Sequence, residues 1–325
     1  MASTAVPGVC YRRRRGPAGA LGLLAGSGSA TGETRNVPLP HRVLIFGGSG
    51  QLGGEIRRGW EGVEFVAPAH TDVDITNTEA VAGAIEQHAP DVVLNCAAFH
   101  NVERCESEPH SALLANAVAV NAMAEACAAR GSIFVTVSTD YVFDGELGRP
   151  YTENDTPHPI SAYGVSKYAG ELLVQRLQSR AYVVRTCGVY ATRASTSKGH
   201  TFIDRIITQA RSGEPVRIVR DQTVSPTYAP HLAQGILQLL QSNAPYGLYH
   251  VVNEGPVTWY DFASEALRVA GIDYPIEAVS YKDWPSRVRR PAFSALENAK
   301  LHALGISLPS WQDAVAAYIR DRALI

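Results

Sequence analysis

The chain has 325 residues, 46% of them hydrophobic and 18% charged, so it can build a substantial core and is not a disordered or low-complexity protein. Its formal net charge is −2, with five arginines (Arg12, Arg13, Arg14, Arg15, Arg35) and one acid (Glu33) in the first 40 residues, which leaves 24 basic against 30 acidic residues beyond them. That acidic body excludes a basic nucleic-acid platform, and no apolar run approaches the roughly 20 residues that span a bilayer.

Residues 1–40 lack periodicity and are rich in Gly, Ala, Ser and Pro, which predicts a disordered or targeting extension. A fold begins near Arg42. Val43–Phe46 reads as a short buried strand, followed at once by Gly47-Gly48-Ser49-Gly50-Gln51-Leu52-Gly53. In this spacing Gly47 allows a tight turn, Gly50 lets a pyrophosphate approach the backbone, and Gly53 lets a helix pack on the strand. The N–H groups and dipole of the helix that follows favour phosphate.

Strands and helices then alternate. Glu64–Ala67, Asp91–Cys96, Ile133–Val137 and Tyr182–Val184 read as strands, and Glu79–His88, Ala112–Arg130 and Ser161–Arg180 as the helices between them. The alternation predicts an α/β fold, a Rossmann-type doubly wound parallel sheet whose ligands sit beyond the carboxyl ends of the strands. Gly47, Asn95 and Thr139 fall at those ends. Asp74 and Ile75, in the loop after the second strand, are candidates to border an adenine ring. That strand ends without the acid that selects NAD, whereas Arg57 or Arg58 can meet a 2′-phosphate, so NADPH and NADH both remain open.

The chemistry gathers between residues 138 and 167. Thr139 closes an apolar strand, and Tyr163 and Lys167 are four residues apart, on one helix face. A phenol beside an ammonium, with a hydroxyl facing both, moves a proton to or from an oxygen, and the ammonium lowers the phenol's pKa. Farther on, Thr201–Ser212 and Pro230–Leu240 read as helices, and Val216–Val219 and Leu248–Val252 as strands, the last returning to the main sheet. Residues 257–325 read as mainly helical. The expected layout is a dinucleotide-binding domain over 41–187 with a returning segment around 220–253. A smaller substrate lobe is then built from 188–219 and 254–325. The five cysteines (Cys10, Cys96, Cys105, Cys127, Cys187) make no CxxC or zinc spacing, which predicts reduced thiols, no metal site and a cytoplasmic location.

Together these segments resemble the extended short-chain dehydrogenase/reductase family, and within it the dTDP-4-dehydrorhamnose reductase group. The resemblance runs from residue 42 to about 311. It is carried by the glycine loop, Asn95-Cys96-Ala97-Ala98, Asn116-Ala117, Ser138–Gly145 and Tyr163-Gly164-Val165-Ser166-Lys167. The more selective segments are Asp221-Gln222 with Pro226-Thr227-Tyr228, Trp259–Ala263 and Arg290–Ser294. The resemblance implies NADPH or NADH held by Gly47, Gly50, Gln51, Leu52, Gly53, Asp74, Ile75, Ala97, Ala98, Tyr163 and Lys167. It also implies a nucleotide-sugar substrate contacted by Thr139, Asp140 and Arg290, and a possible homodimer with no nucleic-acid or membrane partner. The implied reaction reduces the C4 keto group of a nucleotide-linked 6-deoxy sugar. One departure stands out: Gly188 occupies the place of a tryptophan usual in the group and is expected to remove a wall of the pocket. It leaves two alternatives, another nucleotide sugar as substrate of an epimerase or reductase, or a non-catalytic NADP-binding subunit resembling the methionine adenosyltransferase β subunit.

Overall fold

The computed structural model describes residues 38–192, 201–283 and 288–323; the expected extension, up to residue 37, lies outside them. Strand β1 (Arg42–Phe46) runs into helix α1 (Gln51–Gly59), then β2 (Glu64–Val66), α2 (Thr78–His88) and β3 (Val92–Asn95). Two short helices, α3 (Val102–Ser107) and α4 (Pro109–Leu113), lead through a π-helical turn at Leu114–Val118 into α5 (Ala119–Arg130). Next come β4 (Ile133–Thr139), α6 (Ala162–Arg176) and β5 (Ala181–Thr186). The remainder is α7 (Phe202–Ser212), β6 (Val216–Val219), β7 (Thr223–Val224), α8 (Ala229–Gln241), β8 (Gly247–His250), β9 (Val257–Thr258), α9 (Trp259–Val269), β10 (Ile276–Val279), α10 (Ala299–Ala303) and α11 (Trp311–Asp321).

Six strands form one parallel sheet in the order β2-β1-β3-β4-β5-β8. Successive side chains of a strand face opposite sides, so each central strand feeds two cores. Val43 and Ile45 join Leu52 and Ile56 of α1 and Leu232 and Ile236 of α8 on one face. Leu44 and Phe46 join Val81 and Ile85 of α2 and Met123 and Cys127 of α5 on the other. Both faces are covered, which is why the strands read as unbroken apolar runs rather than alternating ones.

Helix α6 starts where Ser161 Oγ accepts a hydrogen bond from the Gly164 N–H at 3.2 Å. It ends at Arg176, short of the expected Arg180, with Gln178 at φ +48° turning the chain. The expected single helix over 112–130 begins instead at Pro109 and carries the π turn, a feature frequent at functional sites. The Pro109–Arg130 run, contrary to expectation, is long and apolar enough by length and composition to cross a membrane. Half of its window is buried, and α5 packs against α2 and α6 as a core helix does.

A second lobe packs Ile203, Ile206 and Ile207 of α7 against Phe262 of α9 and Tyr318 and Ile319 of α11. Residues 257–323 hold more strand than expected, because β10 pairs with β6 and β9 with β7, both distant in sequence. Such short strands carry no periodic signal of their own.

Helix α6 also comes unusually close to the π turn: a Cβ placed on Gly170 would lie 2.2 Å from the Asn116 carbonyl oxygen. Gly170→Ala is therefore expected to push α6 outward and cost about 1–3 kcal/mol, read as a lower midpoint of urea unfolding.

Candidate active site

The glycine loop lies between β1 and α1 at the carboxyl end of the sheet. Gly47 has φ +78°, and a Cβ there would meet the Ala97 nitrogen at 2.7 Å and the Cys96 carbonyl carbon at 2.8 Å. A Cβ on Gly53 would come within 2.4 Å of the Gly47 oxygen. Glycine at both positions therefore lets the loop, α1 and the Cys96-Ala97 backbone close on one another. Gly50 caps α1 with no side-chain cap, and its own N–H bonds the Gly47 oxygen at 3.0 Å. A helix start of this kind, with backbone exposed by small residues, suits the pyrophosphate of a dinucleotide. Gln51 is partly buried, and Leu52 is buried in the core, so Leu52 can offer a ligand only its backbone.

Asp74 is exposed, and its Oδ1 accepts from the Thr76 N–H (2.9 Å) and hydroxyl (2.8 Å), which holds its carboxyl below the ordinary aspartate range. Its first structural duty is that turn. Ile75 is partly buried against the α2 side of the core. The two arginines of α1 separate: Arg58 pairs with Glu55, whereas Arg57 lies along the glycine loop, Nη1 to the Gly48 oxygen at 3.4 Å. Ala97 donates its N–H to Asn95 Oδ1 at 3.2 Å, and Ala98 follows it at the end of β3.

Thr139, Tyr163 and Lys167 converge at the end of β4. Thr139 caps the turn at Asp140–Val142, its Oγ1 accepting from the Tyr141 N–H at 3.2 Å and donating to Asp140 Oδ1 at 3.0 Å. The Tyr163 phenol neighbours the Thr139 side chain and Asp140. Burial, and then the nearby Asp140, push the Tyr163 pKa upward, so the phenol stays protonated. Lys167 is 5% exposed and donates from Nζ to the Val137 carbonyl oxygen at 2.6 Å. The expectation that the ammonium lowers the phenol's pKa is thus corrected. Lys167 is bound to the β4 backbone, and burial outweighs any help to the phenolate. Burial also lowers the Lys167 pKa to about 8, with Glu171 opposing.

Asp140 is 3% exposed. Its Oδ2 accepts from Ser294 Oγ at 2.6 Å and its Oδ1 from Thr139. The carboxylate is therefore occupied inside the protein, behind Thr139. Arg290 pairs with Glu103 of α3, and its Nε is buried without a partner among the described residues. An unsatisfied guanidinium donor of this kind suits an anionic oxygen.

Gly188 has φ +50°, and a Cβ there would lie 3.1 Å from Trp259 Cη2 and 3.4 Å from the Pro226 Cα. The indole of Trp259, from the first turn of α9, lies beside this position, and Gly188 itself is exposed. Trp259 is braced in turn by Phe202 at 5.0 Å between ring centroids. Two groups near the site were given no role from sequence, Asn116 being named there only within a motif. Asn116 accepts from the Phe99 N–H at 2.9 Å and donates to Ser166 Oγ at 3.0 Å, tying the π turn to α6. Glu171 receives a two-pronged bond from Arg185. Its spacing one turn after Lys167 was the available signal.

A glycine loop on the first βα turn, with a threonine–tyrosine–lysine cluster beyond the fourth strand, defines a Rossmann-fold protein of the short-chain dehydrogenase/reductase class. Residues 41–324 match the RmlD substrate binding domain, and the chain belongs to that family. It is similar to a dTDP-4-dehydrorhamnose reductase of Burkholderia thailandensis, 35% identical over 86% of this chain and 98% of that protein. It is 33% identical to the Bacillus subtilis spore coat polysaccharide biosynthesis protein SpsK, over 87% of this chain and 98% of that one. Among solved structures, a Bacillus anthracis dTDP-4-dehydrorhamnose reductase in complex with NADP superposes with a TM-score of 0.81 at 31% identity, over 86% of this chain and 99% of that one.

Gly188→Trp should be strained by the backbone and by Trp259 together, costing about 1–3 kcal/mol in thermal denaturation. Adding Trp259→Ala should recover part of that loss; no recovery would mean that Trp259 is not what fills the space.

Proposed function

We propose that the chain reduces the C4 keto group of a nucleotide-linked 6-deoxy sugar with NADPH or NADH, converting dTDP-4-dehydro-L-rhamnose to dTDP-L-rhamnose. The observation that carries this reading is the gathering of Thr139, Tyr163 and Lys167 at the end of β4, in a chain of the RmlD family. A reduced nicotinamide bound beside this cluster supplies the hydride. The protein's own part is proton and orientation chemistry. Tyr163, protonated and half-buried, delivers its Oη proton to the oxygen that becomes the C4 alkoxide. Thr139 Oγ1 aligns that oxygen by hydrogen bonding, and Asp140 holds Thr139 from behind. Lys167, as an ammonium, favours the phenolate left after proton transfer and reaches the nicotinamide ribose.

The dinucleotide is held by Gly47, Gly50, Gln51, Leu52 and Gly53 at its pyrophosphate, by Ala97 and Ala98 beside the strand ends, and by Asp74 and Ile75 near the adenine. Arg57, beside Gly48 and opposite a β2 end without an acid, makes NADPH the preferred cofactor in this reading. Arg290 takes the nucleotide diphosphate by exchanging Glu103 for phosphate oxygens. The reading includes a cytoplasmic enzyme that can form a homodimer, with no nucleic-acid or membrane partner. It is supported by the acidic body and by four cysteines that are all free among the described residues.

Loss of NAD(P)H absorbance with dTDP-4-dehydro-L-rhamnose tests the reading directly. Tyr163→Phe is expected to lower kcat by about 10²–10⁴-fold while cofactor affinity is retained. A variant that instead loses cofactor binding with unchanged turnover of the bound fraction would remove Tyr163 from the acid role. For cofactor choice, Arg57→Ala should weaken NADPH binding by about tenfold or more and leave NADH unchanged. Equal weakening of both would show that Arg57 supports the loop rather than a 2′-phosphate.

A further inference from the structure

Glu171 of α6 and Arg185 of β5 form a fully buried ion pair, their side chains 1% and 2% exposed. Arg185 Nε donates to Oε1 at 2.9 Å and Nη2 to Oε2 at 2.6 Å. Ser138 Oγ also donates to Oε1. The guanidinium lies over the Phe143 ring, 5.0 Å from its centroid. One carboxylate therefore joins three elements, and its contacts adjoin the reacting groups. Ser138 precedes Thr139 on β4, and Glu171 follows Lys167 by one turn on α6.

Burying two charges costs desolvation, and apolar side chains of similar volume often hold a core as well or better. Packing alone thus gives little reason for this pair here. What the carboxylate adds is direction and charge. The groups acting on Lys167 are Glu171 on its own helix and Cys96 at the end of β3. Burial raises the Cys96 thiol to about 12, so it is neutral and leaves Glu171 as the anion facing Lys167. Beyond Glu171, on β5, stands Arg185, and on β8 His250, which burial and Arg185 push down to about 3 and hold neutral.

We propose that Glu171 is a positioning residue of the site: clamped by Ser138 and Arg185, its carboxylate seats α6 on the end of β4 and supplies the counter-charge that keeps Lys167 an ammonium. The effect on turnover rests on the reductase reading above, whereas the effect on Lys167 does not.

The chain contains four lysines, Lys167, Lys198, Lys282 and Lys300, so Lys167 can be followed by NMR in protein labelled with [ε-¹³C]lysine, assigned through Lys167→Arg. The cofactor-free wild type should titrate near pH 8 at this site. Glu171→Gln should lower that midpoint by about one pH unit or more. Because Glu171→Gln strands the Arg185 charge, the double variant Glu171→Gln, Arg185→Met guards against misfolding and should shift the midpoint in the same direction. An unchanged midpoint in a folded variant overturns the proposal. With the keto sugar, loss of kcat/KM should begin at lower pH in Glu171→Gln than in wild type, because the ammonium is lost as pH rises through its pKa. A uniform fall with an unmoved alkaline limb is what a plain structural prop would give, and it too overturns the proposal. A shifted lysine in a protein that reduces no 4-keto sugar would sink the substrate reading and leave the role of Glu171 standing.

Discussion

The site depends on one buried ion pair. Arg185 and Glu171 sit where β4, β5 and α6 meet; both carboxylate oxygens are bonded, whereas Arg185 Nη1 is buried without a partner among the described residues. Losing either side would leave a lone charge in the interior, at a cost of about 3–5 kcal/mol. That interdependence locks the helix carrying Tyr163 and Lys167 to the strand carrying Thr139. Contacts on the other flank of α6 complete the lock: Asn116 reaches Ser166 from the π turn, and Gly170 admits the Asn116 carbonyl at close range.

Burial sets the protonation states that this geometry then uses. The same dry surroundings raise the phenol of Tyr163 and lower the ammonium of Lys167, so the tyrosine rests as an acid and the lysine is poised near neutrality. Lys167 spends its ammonium on the Val137 carbonyl rather than on the phenol. The pair is therefore better described as an acid with a nearby charge held in reserve than as a preformed phenolate. Asp140, inside and bonded to Ser294, links Thr139 to the segment that also brings Arg290 to the cleft. Thr139 and the Arg290–Ser294 segment are thus joined through one buried carboxylate.

The second lobe supplies the aromatic side of the cleft. Trp259 lies against Gly188, with Phe202 and Phe262 behind it. Glycine suits that point because its φ is positive and a Cβ would press on the indole, 3.1 Å from its Cη2.

Much of this was legible in the chain itself. Continuous apolar strands alternating with helices dictate a parallel sheet covered on both faces, and glycines 47, 50 and 53 mark the tight turn between its first strand and helix. The spacing of Tyr163 and Lys167 puts them on one helix face, because 3.6 residues make a turn. These are local rules, written in residues a few positions apart. Tertiary structure alone decided what depends on residues far apart: that Lys167 is anchored on Val137, that Asp140 faces inward to Ser294, and that Arg57 rather than Arg58 follows the loop. It also decided that β9 and β10 exist, since each is defined by a partner strand dozens of residues earlier, and that Trp259 lies beside Gly188. No periodicity records such contacts, because desolvation, pairing and steric fit act between neighbours in space rather than in sequence.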